Sequence, residues 1–514
     1  MILIASGSYC REDISVEIGS LPPSFLPVGN KRLFELQKQA LQHFDEEIWL
    51  SLPEGFEVPV FDMIKLEALN FKLIFVPQNL TLCESIAFCI ERINPASLLR
   101  ILWGDTNYGH LPIEYLDTIA VGEPADDSNW GYINKDIVGE GKVITGYFCF
   151  SRVDKLLQYL KENTEDITAV LNKYCLNVNT KIINTKEWQD FGHRNQYFKS
   201  KVYAFLPRSF NKLTSYESYL VKSSSQVKKI TSEYKWYESL PLPLSIHTPR
   251  LCSDLRFEGD ESQYDLEIIP SFSLSELLIF GNNSDQFWEK IFFKLKEVLT
   301  KFNYEADSFK NGNIDVSDLR KLDSTLYLEK TLERISLYES SSGQDLSEYQ
   351  KIAKDVARDI PATSAHHLTI SHGDMCFSNI LYSSHNERIY LIDPRGSAML
   401  KCHPLAGDIR YEIAKLYHSL FGGYDYIIAN RFLIEGESLK FYPDDNVKID
   451  RLRKKFEALV LERFLPITLN EILAINVLLF ISMVPLHSDN RNRQEAFLLN
   501  SKRLYQLLKD RRKI

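Results

Sequence analysis

The sequence lacks the marks of several protein classes. Its eight cysteines are scattered through 514 residues, with no CxxC pair and no zinc-ligand spacing. Such scattered cysteines favour reduced thiols in a cytoplasmic protein over a disulfide framework or a zinc site. An excess of positive charge is also missing. The net charge of -9 argues against a nucleic-acid binder with a broad basic surface.

Export and membrane signals are equally weak. The opening MILIASGS has no charged n-region and no cleavage site, which favours a buried first strand over a signal peptide. The longest apolar run, ILAINVLLFISMVPL, is short for a bilayer span and carries an asparagine. It predicts a core helix and no membrane span. We therefore expect a cytoplasmic protein, and the sequence says nothing about its oligomeric state.

The length predicts at least two domains, because 514 residues exceed the size at which a single core stops growing. Hydrophobic residues make up 44% and charged residues 25%, as is usual for globular proteins. The pattern of apolar runs changes near residues 199–207, which predicts domains at 1–200 and 201–514.

The first 200 residues alternate short apolar runs with helical patterns. Strands are predicted at Ile2–Ala5, Glu47–Leu52, Phe71–Val76 and Leu99–Trp103, with helical spacing in KRLFELQKQALQHF and ESIAFCIERI between them. This alternation predicts an α/β, Rossmann-like domain with a mostly parallel sheet and helices on both faces.

The block HGDMCFSN carries the clearest chemistry. Asp374 and Asn379 lie in a predicted loop, and Asp393 ends the following apolar run IYLID. Phosphoryl transfer uses one carboxylate to orient and deprotonate the attacking hydroxyl, while an amide oxygen and a second carboxylate hold Mg²⁺ on the phosphates. The alternative is an Asp/Asn-rich turn between two strands.

This block resembles the catalytic loop and metal aspartate of the aminoglycoside phosphotransferase and choline kinase family. His372, Asp374, Asn379 and Asp393 match the H-G-D-x-x-x-x-N pattern and the later strand-end aspartate. The resemblance implies a protein-kinase-like α+β bilobal domain, with a small lobe at about 201–272 and a helical large lobe at about 273–514. It implies Asp374 as the catalytic residue, Asn379 and Asp393 as metal ligands, ATP as donor and a small-molecule hydroxyl as acceptor.

The same resemblance requires a strand lysine paired with a helical glutamate. The segment SYLVKSSSQVKKITSEYKWYESLP offers Lys222 and Glu233, with Lys228 or Lys229 as alternatives to Lys222. An exposed lysine and a solvated glutamate on an amphipathic helix are the other interpretation. The segment RSFNKLTSYES, where a phosphate-covering glycine loop is expected, contains no glycine.

Three further residues follow from this resemblance. YDLEIIPSFSLSELL resembles the hinge between the lobes, where the backbone from Glu267 to Ile269 would contact the nucleotide base. Arg395 follows the metal aspartate and would meet a phosphate or carboxylate, or else form a salt bridge. Asp408 is expected to brace the catalytic loop.

The amino-terminal part resembles the sugar-nucleotide pyrophosphorylase-type nucleotidyltransferases. The matching segments are LPPSFLPVGNKRLFELQKQAL, LRILWGDTNYG and EWQDFGHRNQYF. The resemblance implies that Asp105 and Asp190 hold Mg²⁺, that Gly7 lies in the loop for the triphosphate, and that CTP or another nucleoside triphosphate binds. Each aspartate could instead be an ordinary strand-end cap.

The chain departs from the family pattern at two places. The glycine-rich loop is reduced to SGSYCREDISVE, where Arg11 has no clear register. Pro23 stands where the family has its catalytic lysine, and a proline side chain cannot stabilise developing negative charge. Lys31 and Arg32 are the nearby cations that could compensate.

Together the two resemblances predict a bifunctional transferase of cell-surface polysaccharide precursor synthesis. The carboxy-terminal domain would phosphorylate a hydroxyl of a sugar, polyol or amino alcohol, and the amino-terminal domain would join the product to a nucleotide. One alternative keeps the kinase and makes the first domain a nucleotide- or sugar-binding module. Another is a non-catalytic binding scaffold.

Overall fold

The computed structural model describes residues 1–95, 97–109, 111, 116–124, 131, 142–204, 212–215, 219–310, 315–395, 405–464 and 466–513. The chain divides into two compact units. The amino-terminal unit comprises Met1–Phe205 with Phe280–Asn282, and the carboxy-terminal unit comprises Leu206–Ile279 with Asn283–Ile514.

The described strands and helices of the amino-terminal unit alternate along the chain. The strands are β1 Ile2–Ala5, β2 Pro27–Val28, β3 Lys31–Arg32, β4 Ile48–Pro53, β5 Phe71–Val76, β6 Leu99–Trp103, β7 Thr106–Tyr108, β8 Thr118–Gly122, β9 Val143–Phe150, β10 Lys181–Asn184 and β11 Trp188–Asp190. The helices are α1 Glu12–Ile18, α2 Leu33–Ala40, α3 Val60–Ala68, α4 Leu82–Ile93, α5 Val153–Glu162, α6 Ile167–Asn177 and α7 Arg194–Ala204, with a 3₁₀ turn at Pro23–Phe25.

A seven-stranded sheet in the order β10-β8-β9-β6-β1-β4-β5 forms the centre of this unit. The strands β6, β1, β4 and β5 run parallel, as do β10 and β8, while β9 is antiparallel to both of its neighbours. The predicted α/β class with a mostly parallel sheet is confirmed. Strands at the four predicted positions are present, with β4 displaced by one residue.

Local sequence explains the helix that covers this sheet. Thr81 caps α4 by accepting a hydrogen bond from the Glu84 backbone N–H, and the Glu84 carboxylate accepts one from the Thr81 N–H. Asn94 ends the helix in the left-handed conformation. The apolar side of α4 packs into a core cluster that includes Leu3 and Phe148 of the sheet.

The carboxy-terminal unit begins with strands and continues mainly as helices. The strands are β12 Lys212–Ser215, β13 Tyr219–Ser224, β14 Arg256–Glu258, β15 Glu261–Glu267, β16 Phe272–Ser273, β17 Leu368–Ile370, β18 Ile380–Ser383, β19 Arg388–Leu391, β20 Ala406–Asp408, β21 Leu433–Glu435 and β22 Ser438–Lys440. The helices are α8 Val227–Ser239, α9 Leu242–Ser245, α10 Leu274–Ile279, α11 Asp285–Glu305, α12 Asp307–Lys310, α13 Val316–Leu326, α14 Leu328–Ser342, α15 Ser347–Val356, α16 Ile409–Leu420, α17 Tyr424–Ile428, α18 Pro443–Leu459, α19 Leu469–Met483 and α20 Arg491–Arg511. Short 3₁₀ turns lie at Ala357–Asp359, Ala365–His367, Phe377–Asn379, Leu461–Phe464 and Val484–His487.

An antiparallel sheet in the order β12-β13-β15-β14 carries α8 against it. Two smaller sheets, β16-β18-β19 and β17-β20, lie among the later helices. The predicted α+β class, with a strand-rich part followed by a helical part, is confirmed. The β17-β20 pair and the β18-β19 hairpin frame the segment that contains HGDMCFSN.

Helix α19 is the most apolar helix of this unit. Together with the following turn it is long and apolar enough to span a bilayer by length and composition, the only such case in the described part of the chain. Its residues 471–482 are all buried, and Asn476 donates hydrogen bonds to the Ala414 and Ile472 carbonyls. This burial agrees with the core helix that ILAINVLLFISMVPL predicts.

Candidate functional site

The segment HGDMCFSN forms a loop between β17 and β18. Gly373 has a φ of +76°, which favours glycine, and a Cβ placed there would lie 2.8 Å from the Cβ of Arg395. The Arg395 N–H also donates to the His372 carbonyl at 2.8 Å. The loop therefore packs closely on the chain that follows Asp393.

Most residues predicted for phosphoryl transfer line one cavity of about 460 Å³ in the carboxy-terminal unit. Lys222, Glu233, Asp374, Asn379, Asp393 and Arg395 all contribute to its wall. The structure thus brings together side chains from β13, α8 and the loops around β18 and β19. Lys228 and Lys229, the alternatives to Lys222, line the same cavity.

Lys222 is a buried cation in the wall of this cavity. Its Nζ forms an ion pair with Glu233 and lies 2.7 Å from Asp393 Oδ1, while the Tyr264 hydroxyl donates to Glu233 at 2.6 Å. The Lys222 side chain is 3% exposed. Burial by itself would lower the pKa of its ammonium, but Asp393 and Glu233 outweigh burial and raise it. Lys222 is therefore charged, and it is the lysine of the three that pairs with the helical glutamate.

Asp374 lies next to a cation that the sequence did not predict. Lys415 Nζ lies 2.7 Å from Asp374 Oδ1, and Asn379 Nδ2 donates to the Asp374 carbonyl at 3.0 Å. Burial would raise the pKa of Asp374, but the Lys415 charge outweighs burial and lowers it. The Asp374 side chain is 41% exposed. It is an ionised carboxylate that can accept a hydrogen bond from a hydroxyl.

One side of α16 holds the whole loop. Glu412 accepts hydrogen bonds from the Ser371 hydroxyl and the Gly373 N–H, and Ser419 accepts one from the Phe377 N–H. With Lys415 these residues follow the three- and four-residue spacing of one helix face. That spacing is visible in YEIAKLYHSL and could have identified the three polar residues as partners of the loop.

Burial of the Glu412 carboxyl raises its pKa to about 7. The hydrogen bonds that Glu412 accepts from Ser371 and Gly373 favour the ionised form, but burial outweighs them. This glutamate is thus a buried support of the loop with a pKa near neutrality.

His372 is a buried, neutral residue. Burial lowers its pKa to about 4. Its Nε2 lies 3.0 Å from the Ile392 carbonyl and its Nδ1 lies 3.3 Å from the Asp374 nitrogen, which fits a tautomer protonated at Nε2. Trp236 of α8 donates to the Ser371 carbonyl at 2.7 Å and packs edge-on against the His372 ring.

The predicted hinge residues Glu267 and Ile269 are not among the residues that line the cavity. The Glu267 N–H, at the end of β15, donates to the Arg250 carbonyl at 2.9 Å, and the Ile269 carbonyl accepts from the Ser271 N–H at 2.9 Å. Neither residue is part of the cavity wall described above. Their contact with a nucleotide base remains a prediction.

Asp408 and Arg395 have different surroundings. Asp408 caps α16 and is hydrogen-bonded to Arg410 and Thr363, away from the cavity wall. No described carboxylate lies within salt-bridge distance of Arg395, which disfavours the salt-bridge interpretation of this residue within the described chain.

In the amino-terminal unit, the structure brings Asp105 and Asp190 together. Asp190 ends β11, which pairs antiparallel with β7, and the Phe191 N–H donates to the Asp105 carbonyl at 2.8 Å. Burial and the like charge of Asp190 raise the pKa of Asp105 to about 6. A Cβ on Gly192 would lie 2.1 Å from Asp105 Oδ2, so only glycine fits against this carboxylate.

His193 extends this acidic pair. Its Nδ1 lies 2.8 Å from Asp190 Oδ2, and that hydrogen bond raises the pKa of the imidazole although burial opposes it. The segment EWQDFGHRNQYF resembles the pattern W-x-D-x-G-T of the sugar-nucleotide pyrophosphorylase-type nucleotidyltransferases, in which threonine stands at the place of His193.

Gly7 and the two cations near Pro23 have different surroundings, and the triphosphate-binding role of Gly7 remains a prediction. A Cβ on Gly7 would lie 2.8 Å from Ser85 Oγ, so this glycine permits close packing of the loop after β1 on α4. Arg32 is 2% exposed and is bonded to Asp62 and the Phe25 carbonyl. It is not free to act on a nucleotide, whereas Lys31 is exposed.

The oxygen donors of both sites suit Mg²⁺. Asn379 and Asp393 offer one amide oxygen and one carboxylate, and Asp105 and Asp190 offer two carboxylates whose mutual repulsion a cation would relieve. Within the described residues no group of three or more His, Cys, Asp or Glu side chains has a metal-binding arrangement. Few protein ligands are enough for Mg²⁺ because it keeps several waters.

No protein-family model and no curated protein matches this chain. Solved structures that match include a thermostable mutant of aminoglycoside phosphotransferase APH(4)-Ia, with 11% identity and a TM-score of 0.39 over 59% of this chain and 93% of that one. Aminoglycoside-3'-phosphotransferase of type VIII matches with 12% identity and a TM-score of 0.33 over 56% and 99%. The inositol-1-phosphate CTP transferase from T. maritima matches with 17% identity and a TM-score of 0.31 over 40% and 94%.

At these identities and TM-scores the matches do not establish an activity for this chain. They include both protein classes that the two halves of the sequence resemble. Both classes are transferases, the enzyme class predicted from the sequence.

Proposed function

We propose that this chain is a bifunctional transferase. Its carboxy-terminal unit phosphorylates a hydroxyl of a small molecule with ATP, and its amino-terminal unit transfers a nucleotide onto the phosphorylated product. One observation supports the phosphoryl transfer above all others. The Lys222–Glu233 pair, Asp374, Asn379 and Asp393 line a single cavity large enough for a triphosphate and a small acceptor.

Each residue of this cavity has a task in the proposed reaction. Lys222 is charged and buried, so it stabilises negative charge on the donor phosphates. Asp374 is ionised and partly exposed, so it orients the acceptor hydroxyl and takes its proton. Asn379 and Asp393 would hold Mg²⁺, which supplies charge neutralisation on the transferred phosphoryl group.

The acidic pair of Asp105 and Asp190 supports the second activity. Two adjacent carboxylates, one with a pKa of about 6, favour binding of a divalent cation together with CTP or another nucleoside triphosphate. The phosphorylated product of the first activity would be the acceptor of the second. Nucleotide-activated building blocks of this kind serve cell-surface polysaccharide synthesis, and both donors are cytoplasmic nucleotides.

The phosphotransferase is tested by screening alcohols, amino alcohols, sugars and polyols for ADP formation with ATP and Mg²⁺. We expect acceptor-dependent ADP formation that Asp374→Ala abolishes and that Asp260→Ala, an exposed aspartate in a turn, leaves unchanged. Equal ADP formation by the Asp374→Ala variant and the unaltered chain would remove the proposed role of Asp374, and no ADP formation with any acceptor would favour a non-catalytic scaffold.

A second candidate keeps the kinase and makes the amino-terminal unit a nucleotide-binding module. Pro23 stands where the nucleotidyltransferases have a lysine, and Arg32 is bonded to Asp62 inside the fold. Pyrophosphate release from CTP, UTP, GTP and ATP, measured with the phosphorylated acceptor, distinguishes the two. Nucleotide binding without any pyrophosphate release would favour the module.

A further inference from the structure

Four cations of the carboxy-terminal unit are connected to Asp374 or its neighbours. Lys415 pairs with Asp374, and Arg395 packs on Gly373. Lys330 bonds to Tyr411 one helical turn before Lys415, with Arg334 one turn further along the helix of Lys330. Lys330 and Arg334 come from α14, Arg395 follows Asp393, and Lys415 comes from α16. Lys330 Nζ donates to the Tyr411 hydroxyl at 3.1 Å, and Arg334 donates to the Ser482 carbonyl at 2.9 Å. We call these four residues and Tyr411 the cationic cluster.

Among the described residues, three of these cations have no carboxylate within salt-bridge distance. Lys415 is the one member with a described carboxylate, that of Asp374, within salt-bridge distance. Lys330, Arg334 and Arg395 are partly buried, and a cation taken out of water without an anionic partner costs free energy. The cluster therefore favours a bound anion.

The protonation behaviour of the cluster agrees with its geometry. Burial would raise the pKa of Tyr411, but Lys330, Lys415 and Arg395 outweigh burial and lower it to about 8. Burial lowers the pKa of Lys330, and the charges of Arg395 and Lys415 lower it further. Arg395 and Lys415 are thus close enough to Lys330 and Tyr411 to shift the pKa of both.

We propose that the acceptor of the phosphoryl group is an anionic hydroxy compound, whose carboxylate or phosphate is held by Lys330, Arg334 and Arg395 while its hydroxyl faces Asp374. This inference rests on the proposed phosphotransfer. An oxyanion neutralises the cluster and places a hydroxyl a few bonds away near the base. An acceptor carrying an amine meets repulsion from the same residues, so the cluster selects against cationic acceptors.

A matched set of three-carbon acceptors tests the charge preference. Glycerate, glycerol 3-phosphate, glycerol and 2-amino-1,3-propanediol differ mainly in charge, and ADP formation is measured at constant ionic strength. We expect kcat/KM to be at least about tenfold higher for glycerate or glycerol 3-phosphate than for glycerol, with the amine lowest. Whichever of the two anions has the higher kcat/KM shows whether the site prefers a carboxylate or a phosphate. A rate for glycerol or the amine equal to that of the anions would overturn the inference.

Variants of α14 test the residues. Lys330→Gln and Arg334→Gln should each raise KM for the anionic acceptor about tenfold without changing KM for ATP. Lys351→Gln, an exposed lysine on α15, should change neither. A raised KM for ATP in place of the acceptor would assign the cluster to the nucleotide and contradict the proposal.

A binding measurement separates this inference from the proposed function. Glycerate or glycerol 3-phosphate should raise Tm more than glycerol does, at matched ionic strength and with saturating ADP and Mg²⁺. The Lys330→Gln/Arg334→Gln double variant should lose that rise. An equal rise in the double variant would overturn the anion site, whereas a normal rise without any turnover of any acceptor would support the site and count against the phosphotransfer alone.

Discussion

Lys415 changes what is expected of Asp374 as a base. Its charge keeps the carboxylate ionised and lies beside the place where negative charge moves during phosphoryl transfer. We expect Lys415→Met to lower kcat of acceptor-dependent ADP formation by about 10²-fold. Lys415→Arg should recover part of the loss because it restores the charge.

Stability provides the control for Lys415→Met. Methionine keeps an unbranched side chain but leaves Asp374 without its ion-pair partner, so Tm should fall while the chain stays folded at the assay temperature. A full-rate Lys415→Met variant would show that the lysine serves only the fold.

The metal role of Asp393 is tested by Asp393→Asn. The substitution keeps the shape of the side chain and removes the carboxylate charge, so we expect most of the kinase turnover to be lost. Lys222 retains its ion pair with Glu233, and circular dichroism should therefore show an intact fold. Titration of Mg²⁺ should show a weaker apparent affinity, and near-normal turnover at low Mg²⁺ would contradict the role.

Glu412 predicts a pH effect on stability. Its pKa is raised from 4.5 to about 7 in the folded chain, so its stabilising contribution is complete below pH 4.5 and is lost as the pH rises through 7. A shift of this size corresponds to roughly 3 kcal/mol. Glu412→Gln stays neutral at every pH. The free energy of unfolding of this variant, relative to that of the unaltered chain, should therefore rise by up to that amount from pH 5 to pH 8.

Urea unfolding at the two pH values measures the Glu412 effect. Glu437→Gln, at an exposed position, serves as the control. A difference between Glu412→Gln and the unaltered chain that does not depend on pH would show that the carboxyl is not protonated in the folded chain.

At the residue scale, the sequence predicted the groups that lie close together in the chain. Asp374 and Asn379 belong to one short loop, and Asp393 follows the next hairpin, so their spacing is a local property. Lys415 and Lys330 come from helices on either side of that loop, and nothing local links them to Asp374. Their role depends on how the helices pack, which the spacing alone does not determine.

At the scale of elements, two helices hold the HGDMCFSN loop in place. α16 contacts it through Glu412, Lys415 and Ser419, and α8 contacts it through Trp236. Loss of one such buried hydrogen bond costs about 1 kcal/mol. The loop therefore owes its position to elements that are separate from it in sequence.

Trp236→Phe tests the contact from α8. The ring remains, but the donor to the Ser371 carbonyl is lost, so the free energy of unfolding should fall by about 1 kcal/mol. Trp49→Phe is a matched control, because its indole N–H donates to Glu47 at an exposed position and should matter less. Urea denaturation of both variants measures the free energy of unfolding. Equal decreases in the two variants would show that the hydrogen bond to Ser371 stabilises the fold no more than the exposed bond of Trp49.

Strands with continuous apolar sequence were predictable, as β1, β5 and β6 show. The short pair β7-β11 was not predicted, although it brings Asp105 and Asp190 together. Three-residue strands carry too few residues for a period to show. Their pairing joins segments about 80 residues apart, so it depends on the packed sheet beside them.

At the scale of the whole molecule, each of the two units carries its own acidic site. Asp105→Ala should abolish pyrophosphate release and leave acceptor-dependent ADP formation unchanged, since Asp105 is not part of the cavity around Asp374. Both activities are measured on the same preparation of the full chain. A large loss of ADP formation in Asp105→Ala would show that the two activities depend on each other.

The arrangement of α16 gives a way to recognise related proteins. In this chain the H-G-D-x-x-x-x-N block is accompanied by glutamate, lysine and serine at the spacing E-x-x-K-x-x-x-S in α16. A search that requires both patterns would select chains whose catalytic aspartate has a lysine counter-ion supplied from a helix. Such chains could then be sorted by whether basic residues also occupy the two places equivalent to Lys330 and Arg334, which would separate users of acidic acceptors from the rest.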